Sequence, residues 1–273
     1  MSDEKTPVLF IGHGSPMNII YKNEYTKSLQ KLGTSLPKPD AILVVSAHWL
    51  TKGTFVCSVD KPEQIYDFYG FPDELYAVKY HPPGARAIAE SITYELKSDN
   101  IQPNTEWGID HASWAVLVHM YPKANIPIFE MSLDVIKKEK EHYELGEKLS
   151  YLRKKNVLII GSGNIVHNLR EIDFDENAKP FPWAIEFDEY IKEALLQKNH
   201  DQLLRYKELS PVSRLAVPTN DHYLPFLYSA ALQEEDEQIE FVHESIQNGS
   251  ISMRCFMIHY FLKICSDSPF IIY

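Results

Sequence analysis

The sequence predicts a single α/β domain: a mixed central β-sheet flanked by helices, with a ligand site at the carboxyl ends of the strands. Three observations carry this. Short apolar runs alternate with longer helix-like segments along the chain, the pattern of strand–helix units. Several runs, ILVV and VLII among them, are continuous in Val, Ile and Leu, as central strands covered on both faces require. Four histidines, His13, His48, His167 and His222, each come just after such a run or a loop signal. Ligands of open α/β sheets bind at that edge, and imidazole is both the commonest metal ligand and the usual acid–base group near neutral pH.

In chain order, strands are expected at 7–11, 41–46, 54–59, 126–133 and 157–161. Helices are expected at 23–32, 85–97, 113–120, 138–154, 183–197 and 223–232. In 138–154, Tyr143, Leu145, Leu149 and Leu152 form an apolar face between charges. Gly84 and the prolines before it suit the entry to the helix at 85–97. Near the end, QIEFVHES and SISMRCFMIHYF read as two more strands around the turn signal QNGS. The acidic stretch 233–240 reads as a solvated loop. Residues 60–83 form a long connection with six aromatic residues; such a loop either shapes a binding site or packs on the surface. No segment has the composition of a domain linker, so residues 1–273 are taken as one domain.

Composition bounds the function. With 44% hydrophobic and 24% charged residues, the chain is an ordinary globular protein with a sizeable core. A formal net charge of −11 disfavours nucleic acid and anionic membrane as partners. No apolar run approaches the roughly 20 residues of a membrane span. The N-terminus lacks a basic segment leading into an apolar stretch. Cys57, Cys255 and Cys265 form no paired motif, and Cys57 and Cys255 lie in apolar runs that would bury them. The cytoplasm is the expected compartment.

The chemistry lies in short segments. In GHGSP, glycines flank His13 and let the backbone turn tightly, and Ser15 is placed to cap the next turn of chain. One such histidine alone reads as structural. His48 repeats the pattern, and two neighbouring parallel strands would bring both imidazoles within reach of one ion, which points to a metal site. The glycines of GSGNIVHN are not spaced for a dinucleotide; His167 lies past that turn and can face the same cleft. His222 comes after the polar loop PTND and opens a helix. His111 in WGIDHASW has two readings: a helix start capped by Asp110 or Ser113, or an active-site role. His81 is a further cleft candidate, His119 a core or boundary residue. His142 and His200, set among charges, read as exposed; His243 and His259 read as structural.

Taken together, LFIGHGSPMN, VVSAHW, YDFYGFPDELYAVKYHPPG, GIDHASW, SGNIVHNLR, PFPWAIEFDEY and PTNDHYLPFLY resemble the LigB-like extradiol aromatic ring-opening dioxygenases, in the branch of 4,5-DOPA extradiol dioxygenases. The resemblance runs from about residue 7 to about residue 262. It implies a metal-dependent enzyme that uses O2 to open an aromatic ring beside a catechol diol. At the matching positions His13, His48 and His222 would hold the metal. His167 would act on the substrate's protons, with metal ligation as its alternative role. His111 would be the second acid–base group, on the oxygen side. Ser15, Tyr69, Trp114 and Arg170 are the candidate substrate contacts, Arg170 (or Arg214) for a substrate carboxylate.

The wider superfamily holds Fe(II) with two histidines and a carboxylate. Here the third position is His222, and Asp221 is expected to point elsewhere. A neutral three-histidine site suits Zn2+, so the expectation is one divalent ion, Zn2+ in purified protein and Fe2+ in turnover. The partners implied are a small catechol and O2, with the protein a monomer or small homo-oligomer. Two other readings stand beside this one: a zinc-dependent hydrolase using metal-bound hydroxide, and a non-catalytic binding protein that keeps the fold and the cleft.

Overall fold

Ten strands and ten helices succeed one another in the computed structural model, which describes residues 5–260. The strands are β1 Val8–Gly12, β2 Ala41–Thr51, β3 Thr54–Cys57, β4 Ile101–Asn104, β5 Ile128–Asp134, β6 Val157–Gly163, β7 Glu237–His243, β8 Ile246–Gln247, β9 Ile251–Ser252 and β10 Cys255–Tyr260. The helices are α1 Glu24–Ser35, α2 Asp73–Ala77, α3 Arg86–Glu95, α4 His111–Met120, α5 Glu139–Lys148, α6 Pro182–Leu196, three short ones (α7 His200–Leu204, α8 Tyr206–Leu209, α9 Ser213–Ala216) and α10 Leu224–Ala231.

Eight strands form one sheet in the order β4-β3-β5-β2-β6-β1-β10-β7. The centre, β5-β2-β6-β1, is parallel; β10 and β7 add antiparallel strands at one side. The α/β fold with a mixed central sheet is therefore as the sequence predicts. Its centre is buried on both faces. Val8 and Phe10 of β1 join one core cluster, with α10 and α6, while Leu9 and Ile11 join the other, with α1 and α4. Alternate side chains of one strand thus feed opposite layers, which is why the sequence shows unbroken apolar runs. Among the described residues no helix is long and apolar enough to cross a membrane.

Several expectations are corrected. β2 does not end before His48. It continues to Thr51, with its pairing to β5 interrupted between Val45 and Leu50, so His48 sits in that irregularity. The short edge strand β4, which contains Pro103, has no apolar pattern to announce it, and proline is tolerated at an edge. The expected helix 138–154 divides into α5 and a 3-10 segment Leu149–Lys155, stopped by Asn156 in the left-handed region at φ 55°. QNGS does not join the two late strands. It closes the separate hairpin β8–β9, with Asn248 and Gly249 at φ 53° and 72°, while β7 pairs with β10. The stretch 233–240 is not simply solvated: Glu237 opens β7 and pairs with Arg153 where both side chains are fully buried. His142 is buried, between the Tyr228 hydroxyl (3.0 Å from Nδ1) and the Asp134 carbonyl (3.2 Å from Nε2). Burial pushes its imidazole down to about 4. Cys57 and Cys255 are free and buried, as expected; Cys265 lies outside the described residues.

Gly163 sets the spacing at the strand ends. Its carbonyl accepts the His13 N–H at 3.1 Å, and a Cβ added to it would lie 2.2 Å from the His222 carbonyl oxygen. Gly163→Ala must displace backbone, and overpacking of this kind costs about 1–3 kcal/mol. Urea unfolding should show that loss; an unchanged midpoint would mean that the His222 loop yields freely.

Candidate metal centre and active site

Five histidines converge at the carboxyl ends of the central strands. His13 comes directly after β1, whose parallel register sets Gly12 level with Gly163 at the end of β6. His48 lies in the β2 irregularity, its N–H held by the Ser46 hydroxyl at 3.0 Å. His222 precedes α10, and its carbonyl accepts the Asn164 N–H at 2.8 Å. His111 is the first residue of α4, capped by Asp110, which accepts from the Ala112 N–H at 3.0 Å. Both readings of that segment therefore hold together: a capped helix start, and a place in the cluster. His167 donates its N–H to the Ala216 carbonyl and bridges to Ile251.

The rings are close. His13, His48 and His222 lie 4.9–5.3 Å apart between centroids, and each offers a ring nitrogen, all within 4.8 Å of one another. His111 is 4.0 Å from His48. His167 stacks face to face on His222, 3.5 Å between centroids and 7° between planes. It groups with Asp221 and His222 rather than with His13 and His48.

Hydrogen bonds fix two of the tautomers. The Ser162 hydroxyl donates to the Ala112 carbonyl at 2.6 Å, so toward His13 Nδ1, 3.1 Å away, it can only accept. His13 therefore carries its proton on Nδ1. His222 Nδ1 donates to Asp221, and a carboxylate requires N–H there too; His48 Nδ1 lies 3.2 Å from the Asp67 carboxylate. The Nε2 atoms of His13 and His222 are then bare lone pairs. His48 Nε2 stands 3.3 Å from His13 Nε2 and, when its proton is on Nδ1 facing Asp67, turns a third lone pair inward.

A cation can bind this arrangement, and burial disfavours an added proton. Burial, reinforced by the neighbouring imidazoles, pushes His13 and His222 well below the ordinary histidine range. His48 is pushed down to about 3 by burial and by His111, against the pull of Asp67 and Asp221. Burial brings His167 down to about 4. Neutral imidazoles with their outer nitrogens anchored are the form in which histidine binds a metal. The residues present fit a divalent ion.

Beneath the cluster lies a buried acidic pair. Asp110 accepts from Ser46, and Glu130 accepts from the Asp110 N–H, Ser113 and the Trp107 indole. Burial pushes both carboxyls up, Asp110 further by the nearby Glu130 and Glu130 to about 7 against those donors.

The remaining site candidates fall in different places. Ser15 caps the 3-10 turn Pro16–Ile19, accepting from the Met17 N–H at 3.3 Å. Tyr69 is 91% exposed at the tip of the aromatic loop. Trp114 is fully buried, its indole N–H on the Ile65 carbonyl and its ring against Tyr66 and Phe68. It supports the loop from beneath rather than facing a ligand. Arg170 and Arg214 are exposed. His81 is exposed in a separate cleft with Lys61 and Lys79. Asp221 does not point elsewhere: its carboxylate holds His222. Two groups escape a reading of the sequence. Asp67 accepts from His111 twice, at Nδ1 (2.8 Å) and at the backbone N–H (2.9 Å), while also facing His48. Its one signal is its place as the sole charge in QIYDFYGFP. Ser162, in an apolar strand end, gives none.

Comparison with known proteins accords with this geometry. Residues 6–255 match the family model described as the catalytic LigB subunit of aromatic ring-opening dioxygenase. The chain belongs to this family. A protein of Escherichia coli K12 named 4,5-DOPA dioxygenase extradiol is 43% identical over 93% of this chain and 94% of its own. One of the same name from Mirabilis jalapa is 35% identical over 86% and 90%. The crystal structure of an uncharacterized Escherichia coli K12 protein, 39% identical, superposes with a TM-score of 0.82 over 93% of this chain and 99% of that one. Family membership makes the chain a ring-opening dioxygenase by class and an oxidoreductase, with a candidate site for a single metal ion.

The anchoring of His13 can be tested alone. Removing a partner that orients a metal-bound histidine lowers metal affinity about 10- to 100-fold. Ser162→Ala should do so in a chelator competition, with folding retained; undiminished affinity would show that the serine does not set the tautomer.

Proposed function

We propose that this chain is a metal-dependent extradiol dioxygenase that inserts O2 into a DOPA-like catechol ring and opens it. His13, His48 and His222 hold one divalent ion, Zn2+ in purified protein and Fe2+ in turnover. The observation that carries the reading is the convergence of ring nitrogens from His13, His48 and His222 beside two further histidines, His111 and His167. A binding cleft alone has no need of those two. The names of the relatives supply the substrate class. The formal charge of −11 and the free, buried Cys57 and Cys255 agree with action in the cytoplasm on a small molecule, as a monomer or small homo-oligomer.

A divalent ion at this site supplies positive charge that lowers the pKa of catechol hydroxyls and, as Fe(II), a redox route to O2. The protein's own groups do the rest. His167, neutral and stacked on His222, takes a proton from a substrate hydroxyl. His111 keeps Nδ1 on Asp67, which leaves Nε2 to give or take a proton on the oxygen side. Phe68 stands edge-on to His111 at 5.5 Å and packs with Phe71 and Tyr76. This apolar cover excludes water from the reacting groups.

Metal-free protein reloaded anaerobically with Fe(II) should consume O2 when DOPA or caffeate is added, and zinc-loaded protein should not. No uptake by the iron form, with metal bound, would shift the site to zinc hydrolysis, which needs no O2. In the iron form, His167→Gln should keep its metal and lose about 100- to 10,000-fold in turnover, the usual contribution of a general acid–base group. Unchanged turnover would remove His167 from the chemistry.

A further inference from the structure

A cavity of about 100 Å³ opens between the ends of β2 and β5 and the loop before α10. It adjoins the histidine cluster through Asp221, which holds His222, and through Leu50, two residues beyond His48. Leu50, Leu133, Val135 and Leu224 give it apolar walls. Its one basic lining residue is Lys137. The ammonium group has three N–H donors. One is directed at the Thr54 hydroxyl at 2.9 Å, and among the described residues no carboxylate forms an ion pair with it. The other polar groups are engaged: the Asn220 amide N–H donates to Glu139, Asp221 accepts from His222, and Asp134 accepts from the Ile136 N–H. Asn220 keeps a second amide N–H, and the free charged donors at this end of the site come from Lys137. Arg170 and Arg214, the cations singled out from sequence, do not line the cavity.

We propose that Lys137 is a specificity-determining residue that binds a carboxylate on the side chain of the catechol. The assignment rests on the ring-opening reading and specifies its substrate class: the ring sits at the histidines, a short tail crosses the apolar walls, and the carboxylate meets the ammonium group. Asp134 and Asp221 make the opposite choice, an amine-bearing tail, the competing outcome.

The test compares 3,4-dihydroxyphenylpropionate, 4-methylcatechol and dopamine on iron-loaded wild type, Lys137→Met and Lys137→Arg, by oxygen uptake. In Lys137→Met the ratio of kcat/KM for the carboxylated over the methyl compound should fall about tenfold to a hundredfold, the usual weight of a charge-assisted hydrogen bond. Lys137→Arg should restore most of that ratio. Fluorescence titration of the zinc-loaded proteins with the same ligands gives a readout independent of turnover, and the Kd ratio should shift likewise. An unchanged ratio in both assays, or a preference for dopamine, overturns the proposal. Selective binding that depends on Lys137, without oxygen uptake by wild type, supports the assignment and counts against ring opening alone.

Discussion

Three imidazole rings brought together at the strand ends, with the Nε2 lone pairs of His13 and His222 turned inward, are the constraint around which the site is built. The fold tolerates the arrangement because each ring is held from its outer side: His13 by Ser162, His48 by Asp67, His222 by Asp221. Without those anchors a ring could turn and present N–H inward, which would satisfy the neighbouring lone pair and destroy the cation site. The outer partners decide what the inner atoms can bind.

The anchors in turn depend on sheet register. Ser46 of β2 and Ser162 of β6 are direct parallel neighbours. Each reaches the start of α4, Ser46 to the Asp110 carboxylate and Ser162 to the Ala112 carbonyl. Each also holds one histidine, Ser46 the His48 backbone and Ser162 the His13 ring. One rung of the sheet therefore ties two candidate ligands to the helix that begins with His111. A one-residue slip of either strand would turn its serine to the other face and release both ends.

Much of this is legible in the sequence, and the reasons are specific. The central strands announce themselves because burial on both faces demands continuous apolar runs. The five histidines stand out because each breaks an apolar or turn pattern. What stays hidden depends on contacts between distant segments. Nothing near Glu237 tells that Arg153 waits for it in the core. His142 looks solvated among charges, yet Tyr228 and Asp134 enclose it. Asp67 and Ser162 are ordinary residues whose importance lies in what they face across 44 and 149 positions of chain. Local pattern also failed at His48, because the irregularity in β2 is a property of its pairing with β5.

The position of Asp67 explains how a site with no carboxylate among its three candidate ligands balances a divalent charge. Neutral imidazoles bring no negative charge of their own. Asp67 and Asp221 each stand on the outer nitrogen of a candidate ligand ring, so two negative charges would lie one imidazole away from a bound ion. Asp67 supports this role: although burial opposes ionisation, its hydrogen bonds from His111 and the nearby imidazoles hold it below the usual carboxylate range. The same residue is carried by the aromatic loop, which is fastened to the α4 region by the Ile65–Ile109 and Glu63–Ile109 backbone bonds and by Trp114. Charge balance, orientation of His111 and the apolar cover are thus joined in a single carboxylate. A change that moves the loop must disturb all three together, which is a physical reason for placing that acid on the loop and not on a strand.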